Sequence, residues 1–181
     1  SVGLLLDESG SMCSCDRCTY ARPSAIILYD FCKALHIPVT VYGHSTSGSS
    51  VELYSYAEFE SIDNDDKYRL MDIAARGSNR DGAALRFVAE QLVKRPEEVK
   101  ILILVSDGQP AAPGYYGSAA EEDLRGIKQE YRRKGVLFIA AAIGEDKQNI
   151  ERIYGDSFMD ITDLNQLPVK LTAAVKRHMR V

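Results

Sequence analysis

The sequence predicts an α/β fold of the Rossmann-like, doubly wound kind: a mainly parallel six-stranded sheet with one antiparallel edge strand and helices on both faces. Three observations carry this. Four apolar runs without polar alternation read as strands buried on both faces. Amphipathic helical patterns separate most of them, which implies right-handed crossovers and parallel pairing. Two strand-like runs are joined by too few residues for a crossover, which implies a hairpin at a sheet edge.

The first strand is "VGLLLD" (2–7). A helix is expected from Pro23 to His36, with proline in its first turn and Ile27, Phe31, Ala34 and Leu35 forming its buried face at i, i+4, i+7 and i+8. "PVTVYGH" (38–44) is the second strand, and "SVELYSYA" (50–57), reached through "STSGS" (45–49), is its antiparallel edge partner. The helix "DGAALRFVAEQLVKR" (81–95) stops at Pro96, and "KILILVSD" (100–107) follows as a strand. In "SAAEEDLRGIKQEYRRKG" (118–135) acids lead and bases follow, as a helix dipole prefers, and Gly135 ends the helix. "GVLFIAAAIG" (135–144) and the short "FMDI" (158–161) complete the sheet, and a last helix spans about Leu164 to Arg180.

A chain of 181 residues with 45% hydrophobic and 27% charged content suits one domain over 1–181, and its opening almost inside a strand, without methionine, reads as a fragment of a longer protein. A net charge of −4 and the lack of any long basic run speak against nucleic acid as a partner. The longest apolar segments fall far short of the roughly 20 residues of a membrane span, so no membrane partner is expected and the location is read as cytoplasmic.

In an open α/β sheet, ligands sit beyond the carboxyl ends of the strands, where strand order reverses. Asp7 and Asp107 are each the first acid after an apolar strand, and each is followed by small residues that permit a sharp turn. Two carboxylates sharing a crevice resist ionisation unless a cation neutralises them. Magnesium suits this role, taking six oxygens, often from one or two carboxylates, and keeping positions open. Ser9 and Ser11 add hydroxyl oxygens on the turn of Asp7, and "GSNRDGAALR" (77–86) offers Asn79 and Asp81, with Gly77 and Gly82 permitting close approach. Manganese or calcium would suit the same oxygens.

"DESGS" after a strand, "NRDGAAL" opening a helix and "VSDGQP" after a later strand resemble the three loops of a metal-ion-dependent adhesion site in a von Willebrand factor A (VWA) domain. That likeness implies metal binding by Asp7, Ser9, Ser11 and Asp107. The family usually has a threonine in the second loop; its place falls on Asn79, with Asp81 two residues on, so the second-loop ligand is open between them. "NRDGAALR" with "KILILVSDGQP" looks most like the bacterial branch found at the C-terminus of nitric-oxide-reductase activation proteins (NorD) and cobaltochelatase T subunits (CobT). The branch implies an adaptor for a MoxR- or chelatase-type AAA+ ATPase; this chain has no G-x-x-x-x-G-K-[ST] loop of its own.

Cys13, Cys15 and Cys18 form a C-x-C-x2-C beside the proposed site, a pattern open to zinc, an iron–sulfur cluster or redox pairing as well as to plain reduced thiols. His44, Gln109, Tyr115 and Tyr116 are candidates for a partner-binding rim, the tyrosines on the "PAAPGYYGSAA" loop (110–120). Together these features predict a non-enzymatic module in which the cation receives a partner protein's carboxylate. The competing expectation is a magnesium-dependent phosphatase of haloacid-dehalogenase-like type with Asp7 as nucleophile, weakened because the general acid two residues on would be Ser9.

Overall fold

The computed structural model describes residues 1–61, 65–106, 108, 110–142, 147–160, 169–170 and 172–173, without the side chains of 14–16 and 160. β1 (Val2–Asp7) leads through a 3-10 turn (Gly10–Asp16) into α1 (Arg17–Ala34), followed by β2 (Val39–Ser47) and β3 (Ser50–Ala57). A short α2 (Asp66–Arg69) precedes α3 (Asp81–Val93) and β4 (Lys100–Ser106). The small hairpin β5 (Ala111–Ala112) and β6 (Tyr115–Tyr116) precedes α4 (Gly117–Arg133), β7 (Val136–Ala142), α5 (Lys147–Tyr154) and β8 (Phe158–Asp160).

The main sheet runs β3-β2-β1-β4-β7-β8, parallel throughout except for the β2–β3 edge hairpin. The expected fold class is therefore the one observed. Successive side chains of the strands alternate between two cores. Leu4, Leu6, Val41 and Ile103 face α1, while Leu5, Leu102, Leu104 and Phe138 join α3, α4 and α5 on the other face. Because both faces are covered, the strands read as unbroken apolar runs.

Two corrections concern the helices. α1 begins at Arg17, well before Pro23, which lies inside it. Its buried residues include Ala21, Ala25, Leu28, Tyr29 and Cys32, whereas Ile27 and Leu35 are 38% and 56% exposed. Two apolar stripes run side by side on this helix; the one with small residues at Ala21 and Ala25 is buried in the core, and the Tyr29 hydroxyl donates to the buried Asp66 carboxylate at 2.9 Å. α5 was not expected, although its buried Ile150, Ile153 and Tyr154 carry the i, i+3, i+4 signature. The helix expected over 164–180 falls largely outside the described residues.

The β2–β3 register passes from Val41↔Ala57 to Tyr42↔Ser55 and so skips Tyr56. Such a bulge re-aims a side chain. Here it accompanies a Tyr56 hydroxyl bonded to Glu8.

Candidate functional site at the strand ends

From β1 the chain winds outward through β2 and β3, then returns to β4 and winds the other way through β7 and β8, so strand order reverses between β1 and β4. Asp7 ends β1 and Ser106 ends β4. The Ser9 amide donates to Asp7 Oδ1 at 2.8 Å, a local turn that brings the Ser9 and Ser11 hydroxyl oxygens to 2.9 Å from one another. Asp7 Oδ2 accepts from Asn79 Nδ2 at 2.6 Å and from Ser106 Oγ at 2.9 Å. One carboxylate, 1% exposed, thus gathers groups from three chain-distant segments.

Backbone bonds hold these segments together. Arg76 N donates to Glu8 O and Gly10 N to Gly77 O, both at 2.6 Å, and Ala111 N donates to Asn79 O at 3.1 Å. Thr46 and Ser78 exchange backbone bonds at 2.9 and 3.0 Å, which fixes the second loop to the end of β2. A Cβ on Gly77 would lie 2.3 Å from the Thr46 carbonyl oxygen, and one on Gly82 would lie 2.4 Å from the Tyr115 hydroxyl, so the expected close approach at both glycines is real.

Burial, followed by repulsion from the nearby Asp81 carboxylate, pushes the Asp7 pKa above its ordinary value, against the attraction of His44 and the Ser9 bonds. His44 Nε2 stands 3.1 Å from Asp81 Oδ1. Burial lowers the imidazole pKa, but Asp81, with Asp7 and Glu8 behind it, more than offsets this and raises it. Glu8 is wholly buried; burial raises its pKa, opposed by Tyr56 Oη at 2.6 Å and Arg76 Nε at 2.7 Å.

Asp7, Ser9, Ser11 and Asn79 are joined by hydrogen bonds, and Asp81, near enough to Asp7 to repel its carboxylate, stands against His44. Asp107 and Gln109 lie outside the described residues. His44 does not stand on a rim: it is fully buried beneath the site, because the end of β2 is covered by the second loop. Tyr115 is held by its hydroxyl to Asp123 Oδ2 at 2.7 Å, whereas Tyr116 is 69% exposed. Cys13 is exposed, Cys18 half-buried and Cys32 buried, all as free thiols; the side chain of Cys15 is outside the described set. Three members of the site were not anticipated. Ser106 had a signal in its place before Asp107 at the end of an apolar strand; Glu8 and Arg76 had none in local pattern.

The donor set fits a hard cation. Asn79 Oδ1 is a buried oxygen without a hydrogen-bond partner among the described residues. The Ser9 and Ser11 hydroxyls hydrogen-bond to one another at 2.9 Å, a separation that also matches the edge of an octahedron with metal–oxygen distances of about 2.0–2.1 Å. No three His, Cys, Asp or Glu side chains converge among the described residues, so a cation here would draw on hydroxyl and amide oxygens alongside carboxylate.

A doubly wound sheet with an antiparallel edge hairpin and oxygens gathered at its switch point defines a VWA-type domain. The sequence model of the family described as "Cobalamin biosynthesis protein CobT VWA domain" matches residues 68–179, and the chain belongs to that family. It is 26% identical over 188 residues to the uncharacterized protein YojO of Bacillus subtilis, covering 96% of this chain and 29% of that protein. It is 34% identical over 97 residues to Protein NorD of Brucella suis, covering 52% of this chain and 15% of NorD. The chain thus spans under a third of either relative. A solved von Willebrand factor type A structure from Catenulispora acidiphila superposes with a TM-score of 0.61 at 18% identity, covering 92% of this chain and 39% of that one, a likeness of fold. Among the described residues, no helix is long and apolar enough to cross a membrane.

Proposed function

We propose that this VWA domain is a metal-ion-dependent protein-interaction module. Asp7, Ser9 and Ser11 hold a divalent cation, magnesium in the first instance, with Asn79 as the second-loop residue and Asp107 joining from the end of β4. The bound ion supplies positive charge and a coordination position for a partner's carboxylate. The chain's own groups fix the acceptor oxygens: Asn79 and Ser106 orient Asp7, and the Ser9 amide sets the turn that pairs the two hydroxyls. Asn79 is favoured over Asp81 because it touches Asp7 directly, while Asp81 is engaged with His44.

The observation that carries the reading is the pair of hydroxyls at octahedral-edge spacing beside a buried carboxylate. The phosphoryl-accepting alternative is disfavoured because the residue two places after Asp7, where a general acid is needed, is Ser9. The likeness to CobT and NorD supports a cytoplasmic adaptor for a MoxR- or chelatase-type AAA+ ATPase carried on another chain.

The test is calorimetric titration of the metal-free protein with Mg2+ and Mn2+, alongside elemental analysis that also reads zinc and iron at the cysteines. Saturable binding lost in Asp7→Ala, with the fold retained, supports the module. Absence of binding, or turnover of phosphomonoesters, removes it.

A further inference from the structure

Beside the site a buried carboxylate, Glu8, is paired with a guanidinium, Arg76, whose side chain is 37% exposed, and neither hydrogen-bonds a candidate metal ligand through its side chain. The Glu8 carboxylate is wholly buried and accepts from Arg76 Nε at 2.7 Å and from the Tyr56 hydroxyl at 2.6 Å. The Arg76 guanidinium also covers the Tyr54 ring, its Cζ 4.1 Å from the centroid, and so spans from β3 to the first loop. Glycine at position 43 makes the room: a Cβ there would lie 1.8 Å from Glu8 Oε1. The pair is doubled by the Arg76 amide donating to the Glu8 carbonyl at 2.6 Å.

The place of this pair in the chain gives it leverage. Glu8 directly follows Asp7, and Arg76 begins the segment whose Asn79 donates to Asp7 Oδ2 at 2.6 Å. Next to the pair, Gly10 N bonds Gly77 O at 2.6 Å, and Ser45 Oγ receives Gly77 N at 2.8 Å. The first and second loops are therefore sewn together at 8–10 and 76–77, and the Glu8–Arg76 pair is the side-chain ion pair in that seam.

We propose that Glu8 and Arg76 are positioning residues of the cation site: by fixing the second loop against the first, they set the distance between the Asn79 amide and the Asp7, Ser9 and Ser11 oxygens, and thereby the affinity for a divalent ion that neither residue contacts. Arginine serves this better than lysine, because one planar group bonds the carboxylate and stacks on the ring at once. The inference rests on the reading of the site as a cation site.

The test measures Mn2+ affinity by electron paramagnetic resonance and Mg2+ affinity by calorimetry for the full chain and for Arg76→Lys, Glu8→Gln and Tyr56→Phe. Circular dichroism melts without metal are recorded in parallel. Outer partners that orient ligands change metal affinity by about 10–100-fold, and a loss in that range is expected for Arg76→Lys and Glu8→Gln. A smaller loss is expected for Tyr56→Phe, the mildest change and the one that decides if the others fail to fold. Leu28→Ala, a core truncation in α1 away from the loops, controls for stability alone and should leave the affinity of the folded protein unchanged.

If wild-type protein binds while the folded variants bind equally well, or if Leu28→Ala weakens binding as much as they do, the positioning role is overturned and the cation site stands. If wild-type protein binds neither ion, the cation site itself fails and the inference falls with it.

Discussion

Gly43→Ala and Gly126→Ala are the same chemical change with opposite expected signs. Neither glycine has a positive φ, so only space and chain entropy decide the outcome. At Gly43 the new methyl would sit 1.8 Å from Glu8 Oε1, 2.6 Å from Glu8 Cδ and 2.9 Å from Tyr56 Cε2. Glu8 must then move by more than an ångström, which breaks its 2.6 and 2.7 Å bonds to Tyr56 and Arg76 while leaving a carboxylate in the interior. Arg76 is 37% exposed and solvent screens its charge, so the cost is mainly that of an unsatisfied buried carboxylate, about 1–3 kcal/mol. For a protein of this size each kcal/mol moves the melting temperature by roughly 2–4 °C, so a fall of about 2–12 °C is expected. At Gly126, exposed in α4 with no heavy atom within 4 Å of where a methyl would sit, alanine should instead gain about 0.5–1 kcal/mol from helix propensity and raise the melting temperature by a few degrees. Calorimetry and urea titration of both variants provide the measurement. A Gly43→Ala protein melting within about 2 °C of wild type would refute the claim that Glu8 is pinned against that glycine.

Magnesium at 100 times its dissociation constant should stabilise the fold by about 2.7 kcal/mol, visible as a thermal shift that EDTA reverses and Asp7→Ala abolishes. Thiol labelling of native protein should modify exposed Cys13 quickly and spare Cys32, which is 1% exposed and whose pKa burial pushes up to about 11. Because the unfolded thiol ionises nearer its ordinary value of 9.0, the contribution of Cys32 to stability is complete below pH 9 and is lost as pH rises through about 11, roughly 2–3 kcal/mol in all. Chemical denaturation from pH 8 to 11 in Cys32 and Cys32→Ala proteins isolates this slope. Leu28→Ala should cost about 2–5 kcal/mol as a core truncation, whereas Leu35→Ala should fall within about 0.5 kcal/mol of wild type; equal costs would return the buried face of α1 to the one the periodicity first indicates.

The strands were legible because a parallel sheet covered on both faces demands continuous apolar runs, and β1, β3 and β4 fall almost where "VGLLLD", "SVELYSYA" and "KILILVSD" place them. The face of α1 was legible only in part, because Ile27, Phe31 and Leu35 carry larger apolar side chains than Ala21 and Ala25; Phe31 does pack against the core, while Ile27 and Leu35 are exposed. Hydrophobicity ranks the first stripe higher, but close packing on a sheet favours small residues that let the helix axis approach. The error is thus one of shape rather than polarity. The Tyr29–Asp66 bond that accompanies the true face joins residues 37 apart in sequence, and no local pattern announces it.

The site shows the same division along a single dipeptide. Asp7 and Glu8 are adjacent acids at a strand end, and adjacent residues of an extended chain project to opposite sides. The every-second-residue spacing of "DESGS" singles out Asp7, Ser9 and Ser11, and beyond the end of β1 a turn joins them, through the Ser9 amide and the paired hydroxyls. Alternation also says that Glu8 points away from that set, yet nothing local says toward what. Its partner Arg76 is 68 residues distant, and its cavity exists because β2 carries glycine at position 43. A buried carboxylate is tolerated only where such partners converge. Sequence spacing therefore names the oxygens proposed to hold a cation, while the groups that fix the spacing of those oxygens become visible only when the second loop and the β2–β3 hairpin are folded against the first turn. Changes at Gly43 and Arg76, and more mildly at Tyr56, should accordingly weaken binding at the proposed cation site without removing any of its oxygens, because a vertex of a coordination shell is useful only at its correct distance from the others.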